Sequence, residues 1–327
     1  MKNTLKTQSW HLQTQGVLPP SRKASCMAYD AKRRSVMLFG GGGRNDTWGW
    51  NGANWREMSM ASTPPARTSG CMTYDAQREQ VMLFGGVSDS GYLLNDTWIW
   101  EGTQWRRQYT PEALLPRCGA CMTYDSTCRQ VVLFGGQTYG GRSIGTLLND
   151  TWIWDGSAWQ ARPQTNAPCI RQGACMTHHE DMRHTVLFGG TCGYAAYSDT
   201  WTWDGYNWCE QRPRVQPSAR TWANLVYHQE AQQSVLVGGG GYDAASGLPA
   251  ELGDTWLWNG HNWEEHCSKD SPAGCYHSAT YDASRQAVVV YATGGSKPNG
   301  GSKTKSSFVS TEAAMTNQET QFWTFRS

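Results

Sequence analysis

Long apolar runs, helical periodicity and an excess of charge of either sign are all missing from this chain of 327 residues. Without a run of about 18 apolar residues, a membrane-spanning helix is excluded. Charged residues make up 17% and the formal net charge is +1, so no overall field draws in a polyanion or an acidic lipid surface. Neither nucleic acid nor a membrane is an expected partner. The opening MKNTLKTQSWHLQTQ lacks the apolar core of a signal peptide, and a cytoplasmic location is expected. Eleven cysteines, an odd number with no export signal, read as free thiols rather than as a disulfide framework. The glycine runs at 40–43 and 238–241 follow strand-like segments but open no helix, which excludes dinucleotide loops. No Ser-His-Asp order and no paired-carboxylate motif stands out, and no cofactor is expected.

Tryptophan, by contrast, is abundant. Of 18 tryptophans, 17 fall in one pattern, a W-x-W pair with a third Trp five residues later. Trp48/Trp50/Trp55, Trp98/Trp100/Trp105, Trp152/Trp154/Trp159, Trp201/Trp203/Trp208 and Trp256/Trp258/Trp263 are complete copies. A sixth is split between the chain ends, with Trp323 and Phe325 at one and Trp10 at the other. Each unit reads C-M-T-Y-D, a polar turn, V-x-L-F-G-G, a variable loop, N-D-T-W-x-W and a third Trp. The Gly-Gly pairs recur every 45 to 55 residues. The apolar runs are short, β-branched or aromatic, and alternate with polar residues between Gly, Pro, Asn and Asp, which gives four strands per unit. Such units build radial β-sheets. The recurring Asp46, Asp96, Asp150, Asp199 and Asp254 are expected to accept turn hydrogen bonds from backbone amides.

Through the double glycine after an apolar strand (VMLFGG, VVLFGG, TVLFGG), NDTWIW and the spaced Trp, nearly the whole chain resembles the kelch-repeat family. The resemblance implies an all-β, six-bladed β-propeller with four antiparallel strands per blade, one domain over 1–327. The N-terminal strand around 8–13 would complete the last blade and remove a free sheet edge. A closed ring has no obligatory partner, so a monomer is expected.

In the layout that this resemblance implies, the loops before the innermost strands carry Arg22, Arg67, Arg117, Arg171 and Arg220 to one face. The sixth unit has Gly274 there, followed by Cys275, Tyr276 and His277. Five guanidiniums at one opening would grip carboxylate or phosphate by forked hydrogen bonds. The loops after Gly-Gly add Tyr92, Tyr139, Tyr194, Tyr197 and Tyr242, and Trp222 stands outside the repeat as a stacking candidate. The polar segment 296–319 is expected to be a long flexible flap. The expected function is binding of a small anionic molecule or acidic peptide at this mouth. The alternative is a lyase, isomerase or cyclase in the same pocket, with His277 and Tyr276 as catalytic groups. No metal site is expected. Cys26, Cys71, Cys121 and Cys175 read as small packing residues, and the ligand-rich stretch from Glu264 to His277 departs from the E-x-x-x-D-x-x-x-H spacing of iron-dependent kelch enzymes. The run His178, His179, Asp181 and His184 reads as a polar surface turn on the opposite face.

Overall fold

Each V-x-L-F run becomes the second strand of an antiparallel meander, because β-branched and aromatic side chains fill both faces of a strand that is covered on each side. The first sheet consists of Cys26–Asp30, Ser35–Phe39, Thr47–Trp50 and Trp55–Met58, hydrogen-bonded in chain order. The same four-strand order recurs in sheets that begin at Cys71–Asp75, Cys121–Asp125, Cys175–His179, Asn224–His228 and Ser278–Asp282. The two-residue strand Arg67–Thr68 is added to the second of these. This is a computed structural model, describing residues 8–13, 16–110, 114–140, 143–242, 248–266, 271–293 and 320–326. Within them the protein is all-β, without a helix, and its sheets are arranged in a propeller-like fold. The expected flap at 296–319 lies outside the described residues.

The sixth sheet draws on both chain ends. Thr320–Arg326 pairs with Ala287–Thr293 on one side and with Ser9–Gln13 on the other, so that Trp10 lies opposite Phe325. The first strands of neighbouring sheets lie against one another, and that of the sixth lies against that of the first.

The tryptophans join the sheets. The first Trp of each pair donates its indole N–H to the Asp two residues before it, as in Trp98 to Asp96 at 2.6 Å. The third Trp reaches the preceding sheet and donates to the buried Thr of its D-T-W motif. Trp105 bonds Thr47, Trp159 bonds Thr97, Trp208 bonds Thr151 and Trp263 bonds Thr200, all at 2.9 to 3.0 Å. Trp10 does the same with Thr255 at 2.9 Å, so the N-terminal strand supplies the missing third Trp of the sixth sheet. Each of these indoles removes roughly 200 Å² from water and places its one polar atom on a partner. Trp55 is the exception among the third tryptophans. The position that it faces holds Phe322 rather than Thr, and its buried indole N–H has no acceptor. The buried indole N–H groups of Trp100, Trp154 and Trp203, each the second of its pair, also lack a partner.

Candidate functional site

A cavity of about 180 Å³ opens where the six first strands begin, lined by residues from each of those strands. Its rim is built from backbone. Ala24, Ser69, Gly119, Gly173, Trp222 and Tyr276 hold corresponding positions, each with φ between +55° and +64°. The Ser69 N–H donates to the Ala24 carbonyl, Gly119 to Ser69, Gly173 to Gly119, Trp222 to Gly173 and Tyr276 to Trp222. Ala24 then donates to Tyr276, so the six bonds, at 2.7 to 3.4 Å, return to their start. Left-handed backbone costs roughly 1 kcal/mol at a non-glycine residue. Here that strain aims six N–H groups around a single rim.

Two of the six positions are glycine for a visible reason. A Cβ on Gly119 would stand 2.7 Å from the Trp222 ring, and one on Gly173 would stand 2.9 Å from it. The indole therefore lies across two neighbouring sheets that expose bare backbone beneath it. The Tyr276 ring packs against it, tilted by 32°, with ring centroids 4.9 Å apart. His277 follows on the cavity wall, its carbonyl accepting from the Asn224 side chain at 3.2 Å. Burial, helped by nearby Lys23, lowers the His277 pKa to about 4, and burial raises that of the Tyr276 phenol to about 12. Both rings are uncharged at neutral pH. Cys26, Cys71, Cys121 and Cys175 line the same cavity, and burial pushes each thiol pKa upward, to about 12 for Cys26 and Cys121. Among the described residues, the lining holds no Asp, Glu, Lys or Arg.

The five arginines do not reach this cavity, which overturns the expected basic mouth. Arg22, Arg67, Arg117, Arg171 and Arg220 are 1 to 2% exposed. Each guanidinium forks onto the Asp of its own D-T-W motif, as Arg67 does with Asp96 at 2.7 and 2.8 Å, and donates to the first glycine carbonyl of Gly-Gly. The partners of the other four are Asp46, Asp150, Asp199 and Asp254. The D-T-W aspartates therefore serve buried arginines and indoles rather than turn amides. Burial alone would raise their pKa, but the Arg and Trp hydrogen bonds hold Asp46, Asp96 and Asp254 below the usual carboxylate value. The sequence carries a sign of this pairing. Where the sixth unit replaces Arg with Gly274, it also replaces Asp with Gln321.

Of the other expected ligand-binding residues, Tyr92, Tyr139, Tyr194 and Tyr242 are exposed and do not line the cavity. Tyr197 instead covers the Arg171 guanidinium, 4.3 Å from ring centre to Cζ. Trp222, Tyr276 and His277 are brought together. His266 is engaged by the Gln8 carbonyl at 3.0 Å, while Cys267 and Asp270 lie outside the described residues. The expected polar turn at 178–184 is corrected as well. His178 and His179 are buried, and His178 bonds Thr127 and Thr185, each at 3.2 Å.

No protein-family model and no curated protein matches the chain. Solved structures do match it, among them the structure of YjhT, with a TM-score of 0.64 and 14% identity over 83% of this chain and 90% of that one. A likeness at that identity bears on the fold alone, and it agrees with the propeller-like arrangement of sheets.

Proposed function

We propose that this protein is a six-bladed kelch-type propeller, closed through its N-terminal strand, that recognises a small uncharged molecule carrying one flat ring. Support for the six-bladed ring comes from the head-to-tail hydrogen bonds at the cavity rim and from Trp10 standing in for the sixth third-Trp. The ligand class rests on one observation: the cavity has a paired aromatic platform, Trp222 and Tyr276, and its described lining carries no formal charge. The guanidiniums that the sequence offered to an anionic ligand or acidic peptide are spent on aspartates. A dry cavity of about 150 Å³ accepts benzene, so about 180 Å³ holds a single ring. A catalytic reading, a lyase, isomerase or cyclase using His277 as base and Tyr276 as acid, is favoured by the neutrality of His277. It ranks second because an imidazole with a pKa near 4 is a weak base at pH 7.

Saturation-transfer NMR with phenol and benzoate, close in size and opposite in charge character, tests the proposal. Phenol is expected to bind and to lose binding in Trp222→Ala, with benzoate weaker. Benzoate binding better than phenol, or phenol binding that ignores Trp222→Ala, would refute it.

A further inference from the structure

A second cavity, of about 260 Å³, opens at the other ends of the same six first strands. The fourth residue of each C-M-T-Y-D segment meets there: Tyr29, Tyr74, Tyr124, Tyr227 and Tyr281 from five sheets and His178 from the remaining one. Four of these polar ends are occupied elsewhere, while the Tyr281 hydroxyl is buried without a hydrogen-bond partner. The Tyr29 hydroxyl accepts from the Ser284 backbone N–H at 3.2 Å and that of Tyr74 from Lys32 at 3.2 Å. The Tyr227 hydroxyl donates to Asp181, and His178 bonds Thr127. Each of these bonds goes to the turn of the preceding sheet, which fixes the ring and leaves its carbon framework to the cavity.

The described lining of this cavity carries one formal charge. Among the lining residues Glu180 is the only carboxylate, and no Lys or Arg is present. Several cations in the turns on this face are paired, Lys32 with Glu79, Arg33 with Asp30, Arg78 with Asp75 and Arg285 with Asp282, while Arg34 donates to Ser284 and the field of Arg129 reaches Tyr124. The field of Glu180 reaches the Tyr227 and Tyr281 hydroxyls, whose pKa values burial has already raised. Aromatic rings attract cations through their negative faces, and a desolvated cation gains most. A carboxylate at the rim adds to that attraction, and no lysine or arginine of the described lining competes for it.

From this geometry we infer that the tyrosine-lined cavity is a binding site for a small organic cation, a protonated amine or quaternary ammonium, held among the aromatic rings with Glu180 as its counter-ion. The site lies at the opposite end from the uncharged cavity, and the two share Met27, Met72, Met122, Met176, Leu225 and Ala279 where they meet. Calorimetric titration with choline and with its neutral isostere 3,3-dimethylbutan-1-ol decides the matter. Choline is expected to bind at least about tenfold more tightly than the alcohol, and Glu180→Gln and Tyr124→Leu each to weaken it about tenfold. Trp222→Ala, at the other cavity, is expected to leave choline binding unchanged. Glu180 is exposed, so an unaltered melting temperature for Glu180→Gln confirms that a loss belongs to the site. Equal binding of choline and the alcohol, choline binding untouched by Glu180→Gln, or no heat with choline would overturn the inference.

Discussion

Arg67 and Asp96 illustrate how a single residue here is committed to stability rather than to a ligand. Both are buried, and the guanidinium places all of its nitrogens on carboxylate or carbonyl oxygens. Removing one partner leaves a buried charge uncompensated, which costs about 3 to 5 kcal/mol. Arg67→Ala is therefore expected to lower unfolding free energy in urea by that amount. The double change Arg67→Gly with Asp96→Gln copies the Gly274 and Gln321 pair of the sixth sheet, and is expected to recover much of the loss. A double-mutant cycle measures the coupling, and simple additivity of the two costs would contradict the pairing. At the cavity rim, Gly119→Ala introduces a Cβ at φ +63° and 2.7 Å from the Trp222 indole. The backbone strain is about 1 kcal/mol, but the displaced indole should matter more. Phenol binding is expected to fall in Gly119→Ala, as saturation transfer would report, while thermal melting shifts only slightly.

At the scale of the strand, Ser9–Gln13 joins residues more than three hundred positions apart. Trp10 is 3% exposed, packs 4.8 Å from Phe325 and donates to Thr255. Replacing it with Phe keeps much of the apolar burial and deletes the hydrogen bond, at about 1 kcal/mol. Removing residues 1–13 instead exposes the whole edge of Thr320–Arg326, a template for association with other chains. The truncated protein is expected to melt several degrees lower and to elute as oligomers in size-exclusion chromatography, whereas Trp10→Phe stays unaltered in elution. Most of this element was legible in the sequence, because a split tryptophan pattern is hard to satisfy unless the two ends pair. The arginines were harder to read. A surface turn and a buried ion pair give the same residue at the same spacing, and only the joint loss of Arg and Asp in the sixth unit separates them. His277 and Tyr276 were legible as departures from the repeat. The glycines at 119 and 173 were not, since nothing in their local sequence announces an indole arriving from a neighbouring sheet.

Across the whole molecule the sheets are not joined equally. The last residue of each first strand is Asp30, Asp75, Asp125, His179, His228 or Asp282. Asp30, Asp75 and Asp282 pair with Arg33, Arg78 and Arg285, which also donate to Glu101, Asp155 and Asn51 carbonyls of the following sheet. At the other three positions Cys128, Met182 and Ala231 stand in place of the arginine. Two of those positions carry buried histidines. Neither His179 ring nitrogen has a partner, and the His228 Nε2 has none. Burial lowers the pKa of His178, His179 and His228, with Asp125 partly opposing this at His178. Between their ordinary value of 6.5 and their lowered folded values the unfolded chain binds more protons than the native one, so stability falls as pH falls. The slope can reach about 1.4 kcal/mol per pH unit for each histidine. The D-T-W aspartates with lowered pKa act in the same direction at more acid pH, because their contribution is present above the ordinary carboxylate value and is lost on protonation. Chemical denaturation is therefore expected to show a first loss of stability below about pH 6.5, before the carboxylate loss near pH 4. In His228→Asp, which copies Asp282, the first loss should be shallower while the second remains. An unchanged slope between pH 6.5 and 5 in that variant would mean that His228 is not among the groups driving acid unfolding.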